Sequence, residues 1–150
     1  MTSEDRFDST PIRSPRKIAV RWVAAWGGGA AIGLANGMAR EVTFGRRLGE
    51  RTANQLSALS GMGAFTVFFW KLQRRWPIAK NSEALGIGAA WLALTVVFEF
   101  GFGRLVAKKS WRSLLGEYDL RKGRAWPLVL AWIATGPAVV RGLQGRSGRR

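Results

Sequence analysis

Long apolar runs alternate with short basic connections along this chain, and this alternation predicts an all-α membrane protein. The clearest run is 84–103, ALGIGAAWLALTVVFEFGFG, whose only charged residue is Glu99. Its 20 residues would form a helix of about 30 Å, which matches the hydrocarbon thickness of a bilayer. Comparable runs over 18–39, 56–72 and 125–140 predict three further spans. The expected fold is therefore a four-helix transmembrane bundle.

The basic connection before the last run predicts a short amphipathic helix over 110–122, lying at the membrane interface. Its apolar positions share one helical face and are Trp111, Leu114, Leu115 and Tyr118. The basic residues suited to anionic headgroups are Lys108, Lys109 and Arg112. Ser110 is a suitable N-cap and Gly123 a suitable terminator. The alternative left open is a surface helix that packs only on its own protein.

The pattern divides the chain into a single membrane domain and two tails. Residues 1–17 predict a disordered, basic N-terminal tail, 18–140 the four-span transmembrane domain, and 141–150 a basic C-terminal tail. Four spans place both termini on one side, with 13 Lys and Arg on that side and 11 on the other. The positive-inside rule then favours cytoplasmic termini by a narrow margin, and such a near-balance is also typical of dual topology.

Composition removes most classes of chemistry from consideration. The formal net charge is +15, and the chain contains no Cys and no His. Thiol nucleophiles, imidazole bases and ordinary zinc sites are therefore excluded, and we expect no metal, no cofactor and no enzymatic activity. Because the basic residues flank the apolar runs, the charge indicates anionic lipid headgroups rather than nucleic acid.

Small residues at helical spacing predict where the spans pack together. In the first span they recur every four residues and are Ala25, Gly29, Gly33 and Gly37. Shorter versions are Ser57 and Gly61 in the second span, and Gly86 and Ala90 in the third. Lipid is as apolar as a leucine side chain, so association of spans depends on close backbone approach, which bare faces allow.

Polar residues at membrane depth are the candidates for a specific role. Glu99 is costly in hydrocarbon unless it is paired, hydrated or neutral, and it must find its partner on another helix. Arg40 is one candidate partner, since it follows Asn36 by one turn at the end of the first span, beside Glu41. Two interpretations of Glu99 remain open: a structural pair, or a proton-coupling carboxylate. Asn36 and Arg40 can likewise line a polar vestibule or tie two helices together.

The segments FEFGFGR, KKSWRSLLGEYDL and RKGRAWPLVL resemble those of small uncharacterised four-span bacterial membrane proteins. The resemblance covers about the last 50 residues. It implies a bacterial cytoplasmic (inner) membrane location and no particular activity. In size and number of spans the chain is also distantly similar to small dual-topology channels and exporters, from which no functional residue is carried across.

The sequence as a whole predicts a non-enzymatic integral membrane protein with a structural or accessory role. Its expected partners are membrane lipids and either a second copy of the chain or another membrane protein. The alternative is a small channel or proton-coupled transporter that uses Glu99.

Overall fold

The structure, a computed structural model, describes residues 14–44 and 48–147, and these residues are almost entirely helical. The α-helices are α1 (Pro15–Ala24), α2 (Trp26–Ala39), α3 (Glu50–Arg75), α4 (Asn81–Leu105), α5 (Trp111–Gly116) and α6 (Trp126–Ser147). A π-helical turn, Arg40–Phe44, continues α2, and a 3-10 turn, Leu120–Lys122, precedes α6. The predicted all-α class is confirmed. The predicted tail before Ser14 lies outside the described residues.

Three helical stretches among the described residues are long and apolar enough to cross a membrane. They are Pro15–Ala39, which joins α1 and α2, Asn81–Leu105 and Trp126–Gly145. They correspond to the first, third and fourth predicted spans. The second predicted span, 56–72, lies within α3, which has 26 residues but is less apolar overall.

The long helices run alternately up and down, with α6 packed against both α4 and α3. α2 packs against α3, and α1 packs against α4. At one end, here the Trp76 end, the indole nitrogen of Trp22 donates to the carbonyl oxygen of Trp76 at 3.0 Å. The starts of α1 and α4 and the ends of α3 and α6 meet there. At the opposite end, the Tyr118 end, α2 and α4 finish and α3 and α6 begin.

Aromatic side chains fill the core near the Trp76 end. Trp22, Phe69 and Trp91 are each no more than 1% exposed. The rings of Phe69 and Trp91 meet edge to face at 5.1 Å, and Trp91 donates its indole proton to the carbonyl oxygen of Trp22 at 2.9 Å. Although Trp22 is buried, its indole nitrogen is satisfied by a backbone acceptor, the carbonyl oxygen of Trp76.

Close helix approach occurs at only part of the predicted glycine face. A Cβ added at Gly29 would lie 2.5 Å from the ring of Trp91, whereas one added at Gly33 or Gly37 would meet nothing within 4 Å. In α4 the close approach is at Gly88, where a Cβ would overlap the carbonyl oxygen of Ala134. Gly86, which the sequence favoured, faces open space. The face of each helix that packs closely is therefore the one that meets α6 or the aromatic core.

The segment 110–122 is not one helix. Ser110 caps α5 by accepting a hydrogen bond from the backbone nitrogen of Ser113 at 3.2 Å, as its position predicts. The helix then ends at Gly116, because Glu117 and Tyr118 turn inward to partners on other elements. Asp119 caps the following 3-10 turn, and Gly123, with φ of 76°, ends it.

The last helix is longer than the sequence predicted. α6 runs from Trp126 to Ser147 with Pro137 inside it, so it continues beyond the predicted start of the C-terminal tail at 141. The ring of Pro137 lies in the fully buried part of the helix.

Candidate functional site

Glu99 lies in a cluster at the Tyr118 end, where α4, α6 and the segment between them meet. Its Oε2 accepts two hydrogen bonds, one from the hydroxyl of Tyr118 at 2.8 Å and one from the indole nitrogen of Trp126 at 2.9 Å. Both donors are neutral groups. Arg40, the partner considered from the sequence, instead donates to Oδ1 of Asn54 at 2.6 Å. The carboxylate therefore links three elements that are separate in the chain.

Local geometry brings Tyr118 to Glu99 through the close packing of α5 on α4. Leu114 is buried over Gly103, where an added Cβ would lie 2.5 Å from its Cδ2. The ring of Phe100 contacts the rings of both Trp111 and Tyr118, with centroids 5.8 and 5.9 Å away. A bare backbone at Gly103 thus lets the segment approach the last turns of α4.

The environment of Tyr118 holds its hydroxyl in the protonated form. Burial raises the pKa of the Tyr118 phenol well above its usual range, and its hydrogen bond to the Glu99 carboxylate raises the pKa further. A protonated phenol is the form that can donate to a carboxylate. The phenol therefore remains a donor at every physiological pH.

An ion bridge next to this cluster joins the same segment to α3. The guanidinium of Arg124 contacts Glu117 Oε2 at 2.7 Å and Glu50 Oε1 at 3.1 Å. The side chain of Arg124 is 28% exposed, whereas that of Glu50 is 77% exposed. The Glu117 contact is the better shielded of the two and contributes more, since exposed ion pairs add little. The bridge fixes the start of α6 against the start of α3.

Asn36 ties α2 to α3 on the other side of the same end. Its Nδ2 donates to the carbonyl oxygen of Ser57 at 2.8 Å and to the hydroxyl of Ser57 at 3.0 Å, and its Oδ1 accepts from the hydroxyl of Ser60 at 2.8 Å. Gly61 makes room for this side chain, since a Cβ there would lie 3.1 Å from Asn36 Nδ2. The side chain of Glu41 lies outside the described residues.

A cleft of about 60 Å³ lies between these two groups of contacts. Its lining includes the polar side chains of Arg40, Asn54 and Arg124 and the buried ring of Phe65. Such a volume holds a few water molecules. The sequence-based alternatives for Asn36 and Arg40, a vestibule and a helix tie, thus describe the same place.

The residues predicted to lie at the interface have different environments. Leu114 is buried and Tyr118 half-buried, whereas Trp111 and Leu115 are 56% and 60% exposed. The basic residues Lys108, Lys109 and Arg112 are exposed. Arg104 lies over the Trp111 ring at 5.3 Å and donates to the carbonyl oxygen of Lys109 at 2.8 Å.

The structure adds groups that the sequence did not single out. Trp126 and Arg124 were not named as candidates, yet they hold Glu99 and the ion bridge. The sequence feature that could have identified them is the short interval from Tyr118 to Trp126, which contains most of the polar side chains that contact Glu99 or lie beside it. Within the described residues, no three His, Cys, Asp or Glu side chains gather as a metal site would require.

No protein-family model, curated protein or solved structure matches this chain. What the cluster can do is therefore inferred from its geometry alone.

Proposed function

We propose that this chain is a four-span integral membrane protein with a structural or accessory role, and that Glu99 fastens the segment between α4 and α6 onto the bundle. The observation that carries the proposal is the shared acceptor, Glu99 Oε2, which accepts hydrogen bonds from Tyr118 and Trp126. A carboxylate that accepts hydrogen bonds from two donors on different elements holds those elements together. In this proposal the protein lies in a bacterial inner membrane and packs on a second copy or another membrane protein.

The outward surface supports membrane insertion of the three apolar helices. Large apolar side chains point outward along them, with Val20 61%, Val97 71% and Leu128 54% exposed. Exposed apolar surface on this scale is unusual for a soluble monomer, and it is what lipid would cover.

The geometry of α3 supports a fourth crossing. Near its start Ser57 contacts Asn36 of α2, and near its end the Trp70 carbonyl oxygen accepts from Gln144 of α6. The helix thus extends along the same depth as its neighbours. No outward-facing residue between Gln55 and Lys71 is charged, a distance of about 24 Å along the helix.

The exposed residues of the segment between α4 and α6 support an interfacial position. Trp111 and Leu115 point outward next to exposed Lys108, Lys109 and Arg112. This is the arrangement expected of a segment that meets both acyl chains and anionic headgroups.

The role of Glu99 is tested by paired substitutions in α4. Glu99→Leu leaves the two donors without an acceptor, so we expect the free energy of unfolding to fall by about 2 kcal/mol or more. Glu83→Leu is the matched control, since it removes a half-buried acid from the first turn of the same helix, and we expect a loss below about 1 kcal/mol. Both are measured by denaturant titration in detergent micelles.

The alternative is a small channel or proton-coupled transporter. The observation that favours it is the cleft beside Arg40 and Trp126, which is large enough to hold water. Proton flux in reconstituted vesicles distinguishes the two functions. We expect parent vesicles and Glu99→Gln vesicles to leak protons no faster than protein-free vesicles. A pH-dependent flux that Glu99→Gln abolishes would instead establish the transporter and contradict the structural role.

A further inference from the structure

A second, larger recess lies at the Trp76 end, far from the Glu99 cluster. It is an open groove of about 560 Å³, here the Arg141 groove. One wall is the turn after α3, with Ile78 and Ala79, and the other is the end of α6, with Arg141, Gly142 and Gly145. Cβ atoms added at the two glycines would meet nothing within 4 Å, so this wall is open to an incoming group.

The guanidinium of Arg141 is incompletely satisfied. Its Nη2 donates to the Ala79 carbonyl oxygen at 2.5 Å, but its Nε is shielded from solvent and has no acceptor. Of the neighbouring amides, Gln73 uses its oxygen to accept from the Ile78 backbone nitrogen, and Gln144 uses its nitrogen to donate to the Trp70 carbonyl oxygen. A shielded cationic donor without an acceptor is costly, so an incoming acceptor would be favoured there.

Charge around the groove selects an anion. Among residues 14–44 and 48–147, no carboxylate lies within salt-bridge distance of Arg141, whereas Arg124 at the opposite end contacts two. The acid of the described residues at the Trp76 end is Glu83. The basic residues there are Arg16, Lys17, Arg21, Lys71, Arg74, Arg75 and Lys80.

We propose that the Arg141 groove binds a phosphate-bearing anion, which draws the Arg141 side chain toward the groove so that Nε and the remaining guanidinium protons donate to it. Guanidinium groups recognise phosphate through several parallel N–H donors, which an isolated surface lysine does not provide. The phosphate can belong to an anionic lipid headgroup or to a free ion. Binding of a lipid headgroup rests on the proposed membrane insertion, whereas binding of a free phosphate ion does not.

Two probes distinguish the sources for the purified full-length chain. The first is inorganic phosphate in detergent, against chloride at equal ionic strength. The second is phosphatidylglycerol in nanodiscs, against phosphatidylcholine. We expect at least one of the two anions to raise the unfolding temperature in a saturable manner. A response to inorganic phosphate identifies a free-anion site, and a response to phosphatidylglycerol alone identifies a headgroup site.

Three variants test the assignment to Arg141. Arg141→Gln should weaken apparent affinity for the responding probe by about tenfold or more. Gly142→Leu keeps the arginine but fills the groove, and should weaken binding similarly even if Arg141→Gln fails to fold. Arg74→Gln removes an exposed charge at the same end and should weaken binding about fivefold at most. The proposal is wrong if neither probe stabilises the parent, or if Arg74→Gln weakens binding as much as the groove variants.

Discussion

Tyr118 is the single tyrosine of the chain, so its ionisation can be observed without interference from another phenol. Its pKa is raised by burial and by the hydrogen bond to Glu99. We expect the folded protein to show no tyrosinate absorbance at pH values where the denatured chain, with a pKa near 10, has already ionised. Because the folded-state pKa is the higher one, the stabilisation is complete below pH of about 10 and is lost as the pH rises through the folded-state pKa.

The matched variant for this titration is Glu99→Gln. It removes the negative charge and keeps an amide oxygen as acceptor, so the pKa of Tyr118 should fall toward its ordinary value while the fold persists. Ultraviolet absorbance of parent and variant in the same detergent measures the difference. Coincident titration curves would show that Tyr118 does not contact a carboxylate, and would remove the basis of the Glu99 cluster.

At the scale of elements, the crossing of α4 and α6 depends on one bare position. A Cβ at Gly88 would overlap the backbone oxygen of Ala134, which cannot move without shifting α6. We expect Gly88→Ala to lower the free energy of unfolding by about 2 kcal/mol or more. Gly86→Ala makes the same chemical change where nothing lies within 4 Å, and its effect should range from neutral to about 1 kcal/mol stabilising.

Unfolding of the two alanine variants in detergent gives the comparison directly. Equal effects of Gly86→Ala and Gly88→Ala would mean that the helices do not cross at Gly88. Loss of stability in Gly86→Ala alone would mean that α4 is rotated about its axis so that Gly86, and not Gly88, faces α6.

The choice between Gly86 and Gly88 also shows which parts of the fold are predictable from sequence. Apolar runs and their basic flanks were sufficient for the helical class and for three apolar helices, because helix length and hydropathy are local properties. The side of α4 that meets protein was not predictable, since in a membrane both lipid and core are apolar and neither side is marked. The prediction of one helix over 110–122 was wrong because Glu117 and Tyr118 bind groups that are distant in the chain.

The Glu99 cluster was predictable only in part for the same reason. A lone acid in an apolar run is visible in the sequence and indicates a partner on another element. The partners are 19 and 27 residues away, and both are aromatic side chains that belong equally well to an interfacial belt. Nothing local distinguishes a tryptophan facing lipid from one donating to a carboxylate.

At the scale of the whole molecule, the number of crossings determines which connections share a side of the membrane. If α3 crosses, the N-terminal tail and the α3–α4 turn lie on one side, and the segment between α4 and α6 lies on the other. If α3 lies along the surface, the tail and the turn are on opposite sides. The near-balance of basic residues leaves the absolute orientation open, but this relation between positions holds in either orientation.

Because the chain has no cysteine, single cysteines introduced at Ser3, Ser82 and Ser113 report this relation through labelling by a membrane-impermeant thiol reagent. We expect Ser3→Cys and Ser82→Cys to be labelled from the same side of intact vesicles, and Ser113→Cys from the other side. In a population with dual topology, the first two should be labelled to the same fraction and Ser113→Cys to the complementary fraction. Detergent-permeabilised vesicles, in which all three should react fully, provide the control. Labelling of Ser3→Cys and Ser82→Cys from opposite sides would exclude the fourth crossing and with it the four-span bundle.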